Sequence, residues 1–310
     1  MATKSWVGAV GASGDDWNTA GNWSPSGVPI AGDDIEIMNS AFAIAGYDNS
    51  AVDLGNVTIG PGYTVDIGDY NSGTPNYLIL SFQADKRLTI NGAPNATAQA
   101  MFIEINSAND SYLHLESYGT LAAGGITEDG IHLSDASGPT KDCYIINSGC
   151  PLTLEGTGTF ESLIDQGTAI SIVDSTLTAI NSYESRGSGV VSTISKVPAI
   201  LMTVSAGIVT VDATAGSIID VTQTGALGSS IINWTGGVSI TGDLNISGGT
   251  FDSSAATAVG NIQEVIVGGT STTTLVDLTY MTVSGTPGTL TNNAVGATII
   301  PPIGSTITIV

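Results

Sequence analysis

Apolar and polar residues alternate along this chain in short runs, with β-branched residues at many of the apolar positions. Such runs lie at residues 34–37, 52–54, 57–59, 63–67, 77–80, 88–90, 102–105, 112–115, 131–133, 144–146 and 152–154. They continue at 170–173, 208–211, 218–221, 231–234, 238–240, 244–246, 265–267, 275–278, 281–283 and 306–310. A period of two with Val, Ile and Thr is the signature of half-buried strands. Turn residues separate the runs: Gly60-Pro61-Gly62, Asn91-Gly92, Gly236-Gly237, Gly248-Gly249, Gly268-Gly269 and Pro287-Gly288. No stretch carries apolar residues at helical spacing for three turns. The nearest, residues 160–164, is too short for a stable helix. A doubly wound parallel sheet needs crossover helices and is excluded.

The pattern predicts an all-β protein, a single-stranded parallel β-helix (β-solenoid) with an N-terminal cap. The runs are short, recur about every ten residues, and are joined by small polar residues that let one coil stack on the next. Two or three strands per coil give coils of about 20 to 25 residues, and roughly eleven coils at about 4.8 Å make a rod about 50 Å long. The alternative is a pair of β-sandwiches, which would show longer strands and more frequent Asn-Gly or Asp-Gly hairpins.

A solenoid leaves unpaired backbone groups and apolar core at each end. The opening stretch supplies bulk for a lid, since it holds three of the four tryptophans. The structural cap is assigned to Trp6, Trp17, Asn18, Asn22, Trp23, Pro29 and Asp33, with Pro29 removing a donor beside the first strand at residues 34–37. Residues 1–38 are then cap and first strand, 39–290 the β-helix, and 291–310 a C-terminal strand segment. That last segment is apolar to its end and is expected at a subunit interface, with a homotrimer as the leading arrangement.

Composition narrows the function. Charged residues make up only 11% of the chain, so Ser, Thr, Asn and Gly must cover its surface. The net charge is −22 with six Lys and Arg. Such a surface repels phosphate backbones and anionic lipid, so neither nucleic acid nor membrane is an expected partner. No apolar run is long enough to span a membrane as a helix. No apolar run of signal-peptide length opens the chain, which suits a protein made without classical secretion. Cys143 and Cys150 are two cysteines in 310 residues, too few for a disulfide framework; they are either one bridge or two separate core thiols.

The segment Trp17-Asn18, Asn22-Trp23-Ser24, Gly27, Pro29, Asp33-Asp34-Ile35 and Ile37 resembles one that opens the passenger β-helix of autotransporter-type bacterial surface proteins. The resemblance covers about 30 residues and implies a β-helix entrance, with no activity attached. Without a leader or a membrane barrel, the chain looks more like a β-helical bacteriophage virion protein of the decoration, cement or spike type. That resemblance implies a structural protein on the capsid surface, bound to the major capsid protein. The alternatives are a tailspike or fibre that recognises, and in the enzymatic form cleaves, host surface polysaccharide, and a bacterial surface adhesin fragment.

No catalytic site is assigned and no cofactor is expected, Ca²⁺ at Asp15-Asp16 or Asp33-Asp34 being the one metal considered. Those carboxylates are also natural acceptors for turn N–H groups. A polysaccharide depolymerase would need two positioned carboxylates. The acids offered for that are Asp15, Asp16, Glu104, Asp110, Glu116, Glu128, Asp129, Asp135, Glu155, Glu161, Asp165 and Glu184. Lyase chemistry would add a base, for which Arg87 and Arg186 are the only arginines. His114 and His132 both sit in strand runs, where a hydrogen-bonded strand residue is the expected role. With aromatics at 6% and the tryptophans gathered at one end, no aromatic groove is legible.

Overall fold

The structure is a computed structural model. It describes residues 2–8, 16–38, 42–44, 48–60, 62–63, 67–71, 74–91, 101–117, 131–137, 143–149, 151–155, 159–167, 170–173, 179–195, 198–214, 216–225, 229–253, 255–256, 264–267, 272–275, 281–284, 289–292, 299–300 and 308–309. The chain divides into two compact units, residues 1–161 and 162–310. Both are all-β. Among the described residues the sole helical element is a 3-10 turn at Ala20–Asn22.

In the first unit the strands fall into two ladders that the chain visits alternately. One runs Thr3–Trp6, Asp34–Ile37, Val57–Ile59, Arg87–Asn91, Ser111–Ser117 and Cys143–Asn147, each parallel to the next. The other runs Asp48–Leu54, Leu78–Phe82, Met101–Ile105, Ile131–Asp135 and Pro151–Glu155, again parallel. Two antiparallel pairs stand apart: Trp23–Ser24 on Thr3–Trp6, and the hairpin Asp69–Asn71 with Thr74–Asn76. Sandwiches are built from antiparallel strands, and that alternative does not describe these ladders.

Alternation fixes the register. Ile35, Val57, Leu88, Leu113 and Ile145 are direct neighbours down the first ladder, and all are buried. Leu78, Ile103, Leu133 and Leu154 form the matching column of the second. Slipping any strand by one residue would turn its apolar set to solvent, at about 1.5 to 3 kcal/mol per Leu or Ile. The intervening positions, such as Thr58, Thr89 and His114, form the outer columns.

The second unit repeats the scheme. One ladder holds Ser162–Asp165, Ala179–Ser185, Pro198–Val204, Asp220–Gln223, Asp243–Ile246, Glu264–Val267, Met281–Ser284 and Ile299–Ile300. The other holds Ile170–Val173, Val191–Ile194, Gly207–Val211, Ser230–Trp234, Thr250–Asp252, Thr272–Leu275, Thr289–Asn292 and Thr308–Ile309. Leu163, Tyr183, Met202, Val221 and Leu244 stack as its inner column.

The turns of this unit pass in contact. A Cβ on Gly248 would lie 1.8 Å from the Gly225 carbonyl oxygen, and one on Gly236 would lie 2.1 Å from that of Ala213. These glycines are needed for close approach, because backbone cannot yield as a flexible side chain does. Gly248→Ala should therefore cost about 1 to 3 kcal/mol, read from the denaturant midpoint of the second unit.

Several strands differ from the sequence expectation. Thr3–Trp6 precedes Asp34–Ile37 and covers its edge, so Pro29, though buried, does not lie beside a first, exposed strand. Residues 160–164 contribute strand, Thr159–Phe160 and Ser162–Asp165, with no helical turn. Ala179–Ser185 escapes pattern reading because a register shift between Ile180 and Ser182 breaks its alternation. Of the apolar C-terminal segment, residues 293–298, 301–307 and 310 lie outside the described residues.

Candidate functional site

The tryptophans form one buried cluster. Trp6 and Trp17 stack at 6.4 Å, and Trp23 meets them edge-on at 5.1 and 4.6 Å. The Trp23 indole N–H donates to the Trp17 carbonyl at 2.7 Å. Around them, Asn22 Nδ2 donates to the Asp16 carbonyl, and the Asn22 carbonyl accepts from Val7 and Gly8. Asn18 is exposed, and its backbone N–H donates to Asp16 Oδ1. Asp33 is buried and accepts from the Ala2 and Ile30 amides, one on each oxygen. Asp16 caps its turn through the Asn18 amide and the Thr19 hydroxyl. These carboxylates work as turn acceptors, and among the described residues no three His, Cys, Asp or Glu converge as metal ligands. Asp15 lies outside the described residues.

The acids offered for catalysis are partly brought together. Asp48, Ile79, Glu104, Ser134 and Glu155 are successive register partners on the second ladder of the first unit. Beside that acidic column, Phe102 and His132 are register partners with stacked rings 4.6 Å apart, and Tyr77 meets Phe102 edge-on at 5.9 Å. Glu155 Oε1 ties the two columns: the Tyr77 hydroxyl donates to it at 2.5 Å, and His132 Nδ1 lies 3.4 Å away. Burial, and then Glu155, push the Tyr77 phenol well above its ordinary range, so it stays a donor. Burial pushes Glu104 up as well, with the charges of Asp48 and Asp135 adding to it. Asp135 is raised by burial against the opposing pull of Ser137.

A pH dependence follows from these directions. A carboxyl whose folded pKa is raised stabilises the fold below its unfolded pKa and loses that contribution as pH rises through the folded value. Glu104 and Asp135 thus favour the folded chain on the acid side of the carboxylate range. Asp48, lowered by Ser50, acts the other way, and its contribution is lost as pH falls through its folded pKa. Glu104→Gln should stabilise the first unit at pH 7 and lose that advantage as pH falls below the raised pKa of the wild-type carboxyl. Thermal midpoints of both proteins across this range would check it.

The remaining candidates are scattered. Asp165 is fully buried in the second unit and accepts from the Ser192 hydroxyl at 2.7 Å and the Tyr183 hydroxyl at 3.1 Å. Glu184 pairs with Arg186 at 2.6 Å on the surface, where such a pair adds little. Glu161 lies between strands, half-buried. Glu128, Asp129 and Cys150, and the side chain of Glu116, lie outside the described residues. Cys143 is a buried thiol with no disulfide partner among the described residues, and burial pushes it up.

One feature was not anticipated. On the first ladder of the first unit, Arg87, Tyr112 and Tyr144 are register partners in an outer column. The tyrosine rings stack at 5.1 Å with planes 8° apart, and Tyr112 is 40% exposed. Together with Asp85, Leu113, His114 and Ile146 they line a groove of about 410 Å³. A smaller recess of about 150 Å³ adjoins it through Asp85 and Tyr112, lined also by Ala84, Asn109 and Asp110. The sequence signal was present: Tyr112 and Tyr144 each open a strand run in the same phase. Comparison of the chain with family models, with curated proteins and with solved structures finds no match.

Proposed function

We propose that the chain is a parallel β-helix with a tryptophan lid at its N-terminal end. In this reading it serves as a non-enzymatic protein on the outside of a bacteriophage particle. It decorates the capsid as a homotrimer, binds the major capsid protein and stabilises the head shell. One observation carries the structural part of this reading. The carboxylates best placed for acid–base work are spent on ties within the fold: Glu155 holds Tyr77 and His132, Asp165 holds Tyr183 and Ser192, and Asp33 holds two backbone amides. Such ties suit a rigid scaffold. The low density of charge and the strongly acidic balance support a surface role away from nucleic acid. Co-sedimentation with expanded head shells lacking the protein tests it. Saturable binding is expected, and failure to bind would overturn the reading.

A second reading, an exterior spike that recognises host surface glycans, is favoured by the groove at Tyr112 and Tyr144. Its charged Asp85 and Arg87 and its stacked tyrosines, of which Tyr112 is exposed, are what a binding face requires.

A further inference from the structure

We propose that the groove on the first unit binds a sugar bearing a carboxylate, with Arg87 taking the carboxylate and Asp85 and Asp110 taking hydroxyls of the ring. This deepens the glycan reading and rests on it; it does not depend on capsid decoration.

The chain has 28 acidic residues and six Lys and Arg, so a cation should easily find a partner. Arg186 has Glu184, and Lys4 is held by the Pro25 and Ser26 carbonyls. Arg87, like its neighbour Lys86, makes no ion pair among the described residues, although Asp85 is close in sequence to both. The turn explains this. Asp85 adopts a left-handed conformation, φ 63°, in the turn closed by the Lys86 amide on the Gln83 carbonyl. The turn and the following strand leave the Asp85 and Arg87 side chains on the groove wall without joining them. A guanidinium kept apart from carboxylates presents a planar fork suited to a carboxylate of a ligand.

The groove then selects the ligand class. Tyr112, Tyr144 and Ile146 give an apolar wall, which suits the C–H face of a sugar ring. Asp85 on the groove wall and Asp110 in the adjoining recess offer carboxylate acceptors, so they favour a ligand with one anion and several hydroxyl donors. Uronic and sialic acids have that distribution. An acidic peptide would bring further carboxylates against Asp85 and Asp110, and a phosphate backbone would do the same. The volumes of the groove and its recess suit a short stretch of glycan rather than a single small ion.

Calorimetric titration of the whole chain would use three oligosaccharides that each carry a single carboxylate: a glucuronosyl xylotriose, a galacturonosyl rhamnose disaccharide and 3′-sialyllactose. Each is compared with a neutral counterpart, its methyl ester or lactose, and tetraglutamate serves as the peptide control. At least one acidic sugar should bind about tenfold or more tightly than its neutral counterpart. Arg87→Gln should remove that preference at an unchanged unfolding midpoint, and Tyr112→Ser, which also loses its stacking on Tyr144, should weaken both members of the pair while still unfolding cooperatively. Equal binding of acidic and neutral sugars, or an unaltered preference in Arg87→Gln, would overturn the carboxylate assignment and leave glycan recognition standing. Tight binding of tetraglutamate would replace the sugar by a peptide. Failure of every sugar to bind would overturn both this inference and the glycan reading.

Discussion

Replacing Trp23 by alanine should destabilise the first unit by about 3 to 5 kcal/mol, the usual cost of truncating a fully buried Trp. Trp23 is 2% exposed and is the middle member of the cluster, touching both Trp6 and Trp17 edge-on. Its removal leaves a cavity against the stacked Trp6 and Trp17 rings, which can be filled only by moving the Thr3–Trp6 strand or the Trp17 turn. It also deprives the Trp17 carbonyl of its indole donor, leaving a buried acceptor unpaired. The same strand pairs with Asp34–Ile37, so damage at Trp23 reaches the first rung of the ladder. A loss this large can exhaust much of a domain's margin of about 5 to 15 kcal/mol. Urea unfolding followed by tryptophan fluorescence would report it. A loss below about 1 kcal/mol would mean the cluster does not close the fold as described.

Asp165→Ala should also weaken the second unit, by about 2 to 4 kcal/mol, the scale for taking a shared acceptor from two buried hydroxyl donors. Asp165 Oδ2 accepts from both Tyr183 and Ser192, and these three residues come from three different strands. Burial and the neighbouring carboxylate push the Tyr183 phenol well above its ordinary range, so it remains a donor that needs an acceptor. Alanine takes that shared acceptor from both hydroxyls. Asp165→Asn keeps an acceptor oxygen and should cost less than half as much. Chemical unfolding of the two variants side by side gives the test. If alanine and asparagine are equally harmful, the carboxylate is not acting as the acceptor that joins the strands.

The two sites show how much the sequence carries. The strand runs were legible because alternation is local: Leu88-Thr89-Ile90 and Leu113-His114-Leu115 declare their faces without knowledge of their partners. Thr3–Trp6 was missed because its inward position is Lys4, whose ammonium is buried against the Pro25 and Ser26 carbonyls. Which carboxylates meet was not legible at all. Glu104 and Glu155 share an outer column only because Ser134 lies between them in register, and that depends on the length of every intervening turn. His132 illustrates the middle case. A hydrogen-bonded strand histidine was the expectation, and its Nδ1 lies 3.4 Å from Glu155, but nothing in the sequence named that partner. Overall aromatic content masked the groove, since Tyr112 and Tyr144 are few in number yet meet by register.

Scanning calorimetry of head shells with and without the protein tests the proposed structural role on a particle most directly. The account predicts that added protein raises the temperature at which expanded shells disrupt, and that Glu155→Gln protein, once folded, does so equally well. An unchanged disruption temperature, together with release of reducing ends from a host polysaccharide that Glu155→Gln abolishes, would contradict it.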